Sequence, residues 1–191
     1  MSWLPAFHIG WWNAWLLMLV WLLHPLLMLL IDKLYGSGDL FKKMGDVPTE
    51  PGERTFNTIF TTLLFLLVVY SIFVPLKFAS VWLLPGLALN LLGTGMLISA
   101  LVTAARTPAD RPFTSGVYRI SRHPGYLAQV LTLLGVGTAC ASWIFLLAAG
   151  LNFIALNHQA GEEEQACRKR FGAEYQSYLK RTPRWLGFPK S

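Results

Sequence analysis

Apolar residues fall along this chain in long unbroken runs rather than in alternation with polar ones. Trp11 to Ile31 is one run, long enough to span a bilayer. Thr58 to Leu76 is a second and Val81 to Ala105 a third. The run from Tyr126 to Leu156 is too long for one span and contains Gly135, Gly137 and Ser142. It divides into two helices joined by a short turn near Ala139 to Ser142. The pattern predicts an all-α polytopic membrane protein of about five transmembrane helices, the fourth short. Four spans with one re-entrant segment is the structural alternative. A hydrophobic content of 54% and a mean hydropathy of +0.46 agree, being too apolar for an ordinary soluble domain. The 191 residues are read as a single integral membrane domain with an N-terminal helix pair at about 11–76.

The first run lacks a basic n-region and a small-residue cleavage pattern, so it reads as a retained helix. Trp3, Trp11, Trp12 and Trp15 suit an interfacial aromatic belt at its outer end. His24-Pro25 near its middle predicts a kink with a satisfied histidine. The segment Asp32 to Asn57 contains Gly36, Gly38, Gly45, Pro48, Pro51 and Gly52, which predicts an irregular loop rather than a further helix, a solvated connector with a lid or membrane-surface contact as the alternative.

Charge placement orients the bundle. Five spans put 32–57, 104–125 and 157–191 on one side, and these segments hold every one of the 16 basic residues except Lys77. All 10 acidic residues fall there too. By the positive-inside rule that side is cytoplasmic and the N-terminus is outside. The same asymmetry accounts for a pI near 9.6 by topology and removes the need for nucleic acid as a partner. Cys140 and Cys167 fall on opposite sides and cannot pair, and no metal-ligand spacing is present.

The densest polar chemistry is Gly116-Val117-Tyr118-Arg119-Ile120-Ser121-Arg122-His123-Pro124-Gly125-Tyr126, closely flanked by apolar runs. Pro124 drives His123 toward extended backbone and suits the first turn of the helix that follows. Arg122 and His123 therefore sit at a membrane boundary above a helix N-terminus, which favours anionic groups. A basic loop touching anionic lipid heads is the bland alternative. About forty residues on, Glu162-Glu163-Glu164 is followed by Phe171-Gly172, Tyr175, Tyr178 and Pro183-Arg184-Trp185-Leu186. Cys167, Phe171, Tyr175, Tyr178 and Leu179 share one helical face, with Arg168, Lys169 and Arg170 largely opposite. This predicts an amphipathic C-terminal helical element, open to interruption at Gly172, docked on the cytoplasmic ends of the bundle.

Together, Arg122-His123-Pro124-x-Tyr126 and Glu-Glu-x7-Phe-Gly-x2-Tyr-x2-Tyr resemble the membrane methyltransferases typified by isoprenylcysteine carboxyl methyltransferase. Phospholipid N-methyltransferases share much of the pattern, and the resemblance covers roughly residues 90 to 186. It implies S-adenosylmethionine as cofactor, S-adenosylhomocysteine as product, and a lipophilic or small methyl acceptor reached from the bilayer. It also implies cofactor contacts from Tyr118, Arg122, His123, Pro124, Tyr126, Glu163 and Glu164. Gly93 and Gly95 of the Gly93-Thr94-Gly95 run join them, their small size leaving either cofactor room or close helix packing.

The cofactor's charges fit this set. Its ribose diol and ammonium donate to carboxylates, its carboxylate accepts from Arg, His or backbone N–H, and its sulfonium suits acidic and aromatic neighbours. One departure stands out: carboxyl methyltransferases of this kind carry an arginine four residues before the first glutamate, where this chain has His158. His158 and Glu162 are i, i+4 and share a helix face, so they are the candidate catalytic pair. Without a permanent carboxylate clamp, the acceptor stays open among carboxylate, amine and thiol. Two other classes remain: a sterol-reductase-like membrane reductase using NADPH, and a non-enzymatic protein on the same scaffold.

Overall fold

The computed structural model describes residues 8–36, 38–45 and 51–188. Trp3, Pro48 and Lys190 lie outside these, and for residues 45 and 51–57 the backbone alone is described. The described chain is helical throughout, with a single isolated β-bridge between Asn13 and Pro75. Its helices are α1 (Trp15–Leu22), α2 (His24–Tyr35), α3 (Leu40–Gly45), α4 (Pro51–Ser71), α5 (Leu83–Arg106), α6 (Pro124–Ala139) and α7 (Trp143–Arg181). A 3-10 turn, Gly116–Arg119, precedes α6.

Among the described residues two helices, α5 and α7, are long and apolar enough to cross a membrane. The pair α1 and α2, bent by 50°, makes a third if it counts as one span. The bend falls where His24-Pro25 predicts a kink. The sequence predicts about five spans, and the two remaining apolar helices are shorter among the described residues: Thr58–Ser71 of α4, and α6. The second run continues to Leu76, five residues past the end of α4 at Ser71, and α6 has 16 residues.

The chain divides into two compact units, each assembled from three stretches of sequence. The first takes Met1–Leu23, Thr49–Thr94 and Val130–Phe153. Its core gathers Ala14, Met18, Val74, Leu133, Val136, Cys140, Phe145 and Ala149, with Phe145 stacked on Tyr70 at 5.6 Å. Asn13 is buried, and its Nδ2 donates to the carbonyls of His8 and Ile72 at 2.6 Å each, which ties the N-terminal stretch to the end of α4. The turn between α6 and α7 falls at Cys140 to Ser142, as the glycine and serine positions predicted, with Ala141 at φ 49° and Ser142 N–H donating to the Gly137 carbonyl at 2.8 Å. Within this unit α5 and α6 approach backbone to backbone. A Cβ at Gly135 would lie 2.6 Å from the Asn90 nitrogen and 2.7 Å from the Gly86 oxygen. A Cβ at Gly86 would in turn collide with the backbone of Ala139.

The second unit takes His24–Pro48, Gly95–Gln129 and Ile154–Ser191. Its first segment corrects the expectation of an irregular connector, because α3 forms there and α4 already begins at Pro51. The reason is Asp32, which is buried near the end of α2. Its two oxygens accept from the backbone N–H groups of Gly38 (3.2 Å) and Leu40 (3.0 Å), capping the entry to α3. Lys43 then pairs with Asp39 at 2.7 Å and reaches the Ala105 carbonyl near the C-terminus of α5 at 3.5 Å, an end that favours a cation. Asp32→Ala is expected to cost about 2 kcal/mol, since a buried charged cap serves two amides at once. Faster amide hydrogen exchange at Gly38 and Leu40 is the check; unchanged protection there would refute the cap.

A second cluster in this unit buries Tyr175 and Tyr178 with Tyr118 and Ala100. Cys167, Phe171 and Leu179 pack against them, so all five residues that the spacing put on one helical face meet here. Arg168, Lys169 and Arg170 are exposed. Gly172 does interrupt α7, with φ 54° and ψ −127°, a backbone conformation that a residue with a Cβ resists. Gly116 has a comparable requirement: φ is 56°, and a Cβ there would lie 2.6 Å from Thr103 Oγ1 of α5.

Candidate active site

The site builds up from Ser121-Arg122-His123-Pro124. Pro124 opens α6, where its missing N–H is not needed, and the first backbone bond of that helix runs from Leu127 N–H to the His123 carbonyl at 3.0 Å. Ser121 is fully buried, and its Oγ accepts from the His123 N–H at 3.2 Å. These contacts hold His123 on non-helical backbone with its side chain buried.

Both ring nitrogens of His123 meet carboxylates. Nδ1 lies 3.3 Å from Glu163 Oε2 and Nε2 lies 3.2 Å from Glu164 Oε1. The ring stacks on Tyr126 at 5.3 Å with 9° between planes, and Trp185 lies tilted against it at 6.2 Å. Burial alone would lower the histidine's pKa, but the hydrogen bonds to Glu163 and Glu164 outweigh it and raise the pKa above the ordinary histidine value. The stabilisation from this pairing is therefore fully present below the unfolded pKa and is lost as pH rises through the folded one.

Glu164 is the centre of the cluster. It is 2% exposed, and it sits beyond the apolar part of α7 that ends near Leu156. Arg184 grips it with two bonds, Nε to Oε1 at 3.0 Å and NH2 to Oε2 at 2.9 Å. Arg122 NH1 adds a third contact at 3.1 Å, and His123 the fourth. Burial pushes the carboxyl up, but the bonds from His123 and Arg184 and the charges of Arg122 and Arg184 prevail and push it down to about 2. Its pairing energy is thus present above the unfolded glutamate pKa and disappears only as pH falls through the folded value.

Glu163 is less committed. Its side chain is 33% exposed, and besides His123 it shares a hydrogen bond with Tyr126. Arg122 Nε is buried without a hydrogen-bond partner among the described residues, so the guanidinium has a donor in reserve. Tyr118 is buried in the 3-10 turn, and its carbonyl accepts from the Tyr178 hydroxyl at 2.7 Å.

The candidates from sequence therefore divide. Arg122, His123, Tyr126, Glu163 and Glu164 converge on one buried cluster, and Pro124 and Tyr118 support its backbone. His158 and Glu162 do not join it. Both are exposed, and Glu162 precedes Glu164 by two residues, which turns its side chain to nearly the opposite face of α7. Gly93 is buried in the first unit, whereas Gly95 belongs to the second and has open space where a Cβ would stand. Arg184 and Trp185, from the Pro183-Arg184-Trp185-Leu186 motif, join the cluster without having been among the expected cofactor contacts. The available signal was an arginine held between Pro183 and Trp185, a rigid and partly apolar setting for a permanent charge.

Residues 101–174 match the family model of phospholipid methyltransferase. That stretch contains Arg122, His123, Tyr126, Glu163 and Glu164, and stops short of Arg184. No curated protein and no solved structure matches the chain. The match is consistent with the resemblance to phospholipid and isoprenylcysteine methyltransferases, and it supports a membrane methyltransferase. The apolar helices agree with an integral membrane protein.

Proposed function

We propose that the chain is an S-adenosylmethionine-dependent methyltransferase of the membrane, with its site on the cytoplasmic side and the N-terminus outside. One observation carries the reading: two motifs about forty residues apart in sequence meet in a single buried cluster of His123, Glu163 and Glu164. The residues suit the cofactor. Glu163 keeps carboxylate capacity for the ribose hydroxyls or the ammonium, and the reserve donor of Arg122 suits the carboxylate. The faces of Tyr126 and Trp185 suit a neighbouring cation. Open space at Gly95, Gly125 and Gly161 leaves backbone available to a ligand.

When bound, S-adenosylmethionine supplies a methyl group on a sulfonium, ready for displacement by a nucleophile. The chain's own share is alignment and exclusion of water, which is most of what such a transfer requires. The acceptor class follows from this only as lipophilic or small, reached laterally from the bilayer past the short helices of a five-pass bundle. A nicotinamide-dependent reductase has no support in the family match.

Calorimetry of S-adenosylhomocysteine binding to the full-length protein in detergent tests the reading. Micromolar binding is expected, weakened by about 10–100-fold in Arg122→Ala, Glu163→Ala, the range for losing charged hydrogen bonds. A folded protein that binds no S-adenosylhomocysteine in detergent or lipid would sink the proposal.

A further inference from the structure

The residues after α7 form a short strap across the loop that carries Arg122 and His123. Three hydrogen bonds pin it. Arg122 N–H donates to the Pro183 carbonyl at 3.1 Å, Ser121 Oγ donates to the Arg184 carbonyl at 3.2 Å, and Gly187 N–H donates to the Ile120 carbonyl at 3.1 Å. Trp185 adds a side-chain anchor, its Nε1 donating to Asn157 Oδ1 of α7 at 3.3 Å. The strap thereby delivers Arg184 to Glu164 from outside both the loop and the helix.

The oxygens of Glu164 are unequally served. Arg122 and His123 both address Oε1, and Arg184 alone reaches Oε2. Donors on one oxygen leave a carboxylate free to rotate about its terminal bond, whereas a bidentate guanidinium fixes its plane. With that plane fixed, the Nε2 contact sets the His123 ring. The opposite nitrogen, Nδ1, is then held toward Glu163, the carboxylate with capacity to spare.

We propose that Arg184 is a positioning residue of the cofactor site. It acts through Glu164 and His123 to aim Glu163, and this rests on the methyltransferase reading above. Arg184 touches neither reacting group. Its charge also satisfies Glu164, so that the His123 ring is shared with Glu163 instead of being drawn wholly to Glu164.

The test compares wild type, Arg184→Lys, Arg184→Ala and Arg181→Ala as full-length proteins in detergent. Arg181 is exposed and near in sequence, and its Nε bonds only the Ser177 carbonyl, so its removal controls for lost charge. Two quantities are read: calorimetric affinity for S-adenosylhomocysteine, and the titration of His123 by nuclear magnetic resonance with the four histidines isotopically labelled. The groups facing His123 are Arg122 from the loop, Tyr126 from α6, Glu163 and Glu164 from α7, and Arg184 and Trp185 from the strap.

Arg184→Ala removes a cation that competes for Glu164, so the His123 titration is expected to move to higher pH. Affinity is expected to fall about 10-fold or more. Arg184→Lys keeps the charge without the fork, so the titration stays near wild type while affinity still falls. Arg181→Ala leaves both quantities unchanged. A residue that merely braced the fold would lower thermal stability without shifting the titration of the folded protein. If Arg184→Ala fails to fold, Arg184→Lys decides the matter by its affinity alone.

Wild-type affinity in both Arg184 variants, with an unmoved His123 titration, would overturn the assignment. Failure of the wild type itself to bind S-adenosylhomocysteine would overturn the methyltransferase reading, and the two failures are therefore distinct.

Discussion

Glu164→Ala is expected to destabilise the protein by about 3–5 kcal/mol, the range for deleting one partner of a buried ion cluster, and to abolish S-adenosylhomocysteine binding. The reason is what the substitution leaves behind. Arg122, His123 and Arg184 all address this carboxylate, which is 2% exposed, and without it the half-buried guanidiniums face the buried imidazole with no negative charge between them. The histidine can relieve part of the repulsion by losing its proton, but the arginines cannot. Glu164→Gln keeps the volume and one acceptor and should fall between wild type and alanine. Reversible unfolding in mixed micelles measures the difference. A loss below about 1 kcal/mol, the level of a surface ion pair, would mean that the cluster is far wetter than its geometry implies.

The second large effect is expected at Gly135, in the first unit. Gly135→Val should cost about 3 kcal/mol or more, at the upper end for overpacking, because the obstructing atoms are backbone and cannot rotate away. A Cβ at Gly135 already lies 2.6 Å from the Asn90 nitrogen, and valine adds two further carbons. Moving α5 away from α6 would also strain the Asn90 Nδ2 bond to the Leu17 carbonyl, 3.1 Å long, and so reach α1. Gly95→Ala is the matched control on α5. Nothing stands within 4 Å of its Cβ position, so a change within about 1 kcal/mol, set by helix propensity, is expected. Equal losses at the two glycines would show that close helix approach is not what Gly135 provides.

Much of this arrangement was legible because it rests on local chemistry. Apolar runs without alternation announce helices, His24-Pro25 announces a bend, and the small and polar residues around Ala139 to Ser142 announce a turn. The face shared by Cys167, Phe171, Tyr175, Tyr178 and Leu179 was readable from spacing, since spacing determines which side chains stand together on a helix. What spacing does not determine is whether a shared face is buried. His158 and Glu162 do share a face, but it is an exposed one. The same limit hid the order of importance among the three glutamates, since only packing distinguishes Glu164 from Glu162. Helix α3 was missed because its cap comes from Asp32, at a distance of eight residues from Leu40, beyond any cap motif. Arg184 was missed because a partner 20 residues away on a separate segment has no periodic signature. Hydropathy marks apolar runs and helix length marks spans, so the two agree at α5 and α7 and are not joined at α4 and α6.

The order of the cluster along the chain has a consequence for biogenesis. Arg122 and His123 are synthesised first, Glu164 follows about forty residues later, and Arg184 comes another 20 residues on. Until Glu164 has been made, Arg122 and His123 therefore lack the carboxylate that they later share. The cluster is complete only when the segment after α7 brings Arg184 to Glu164.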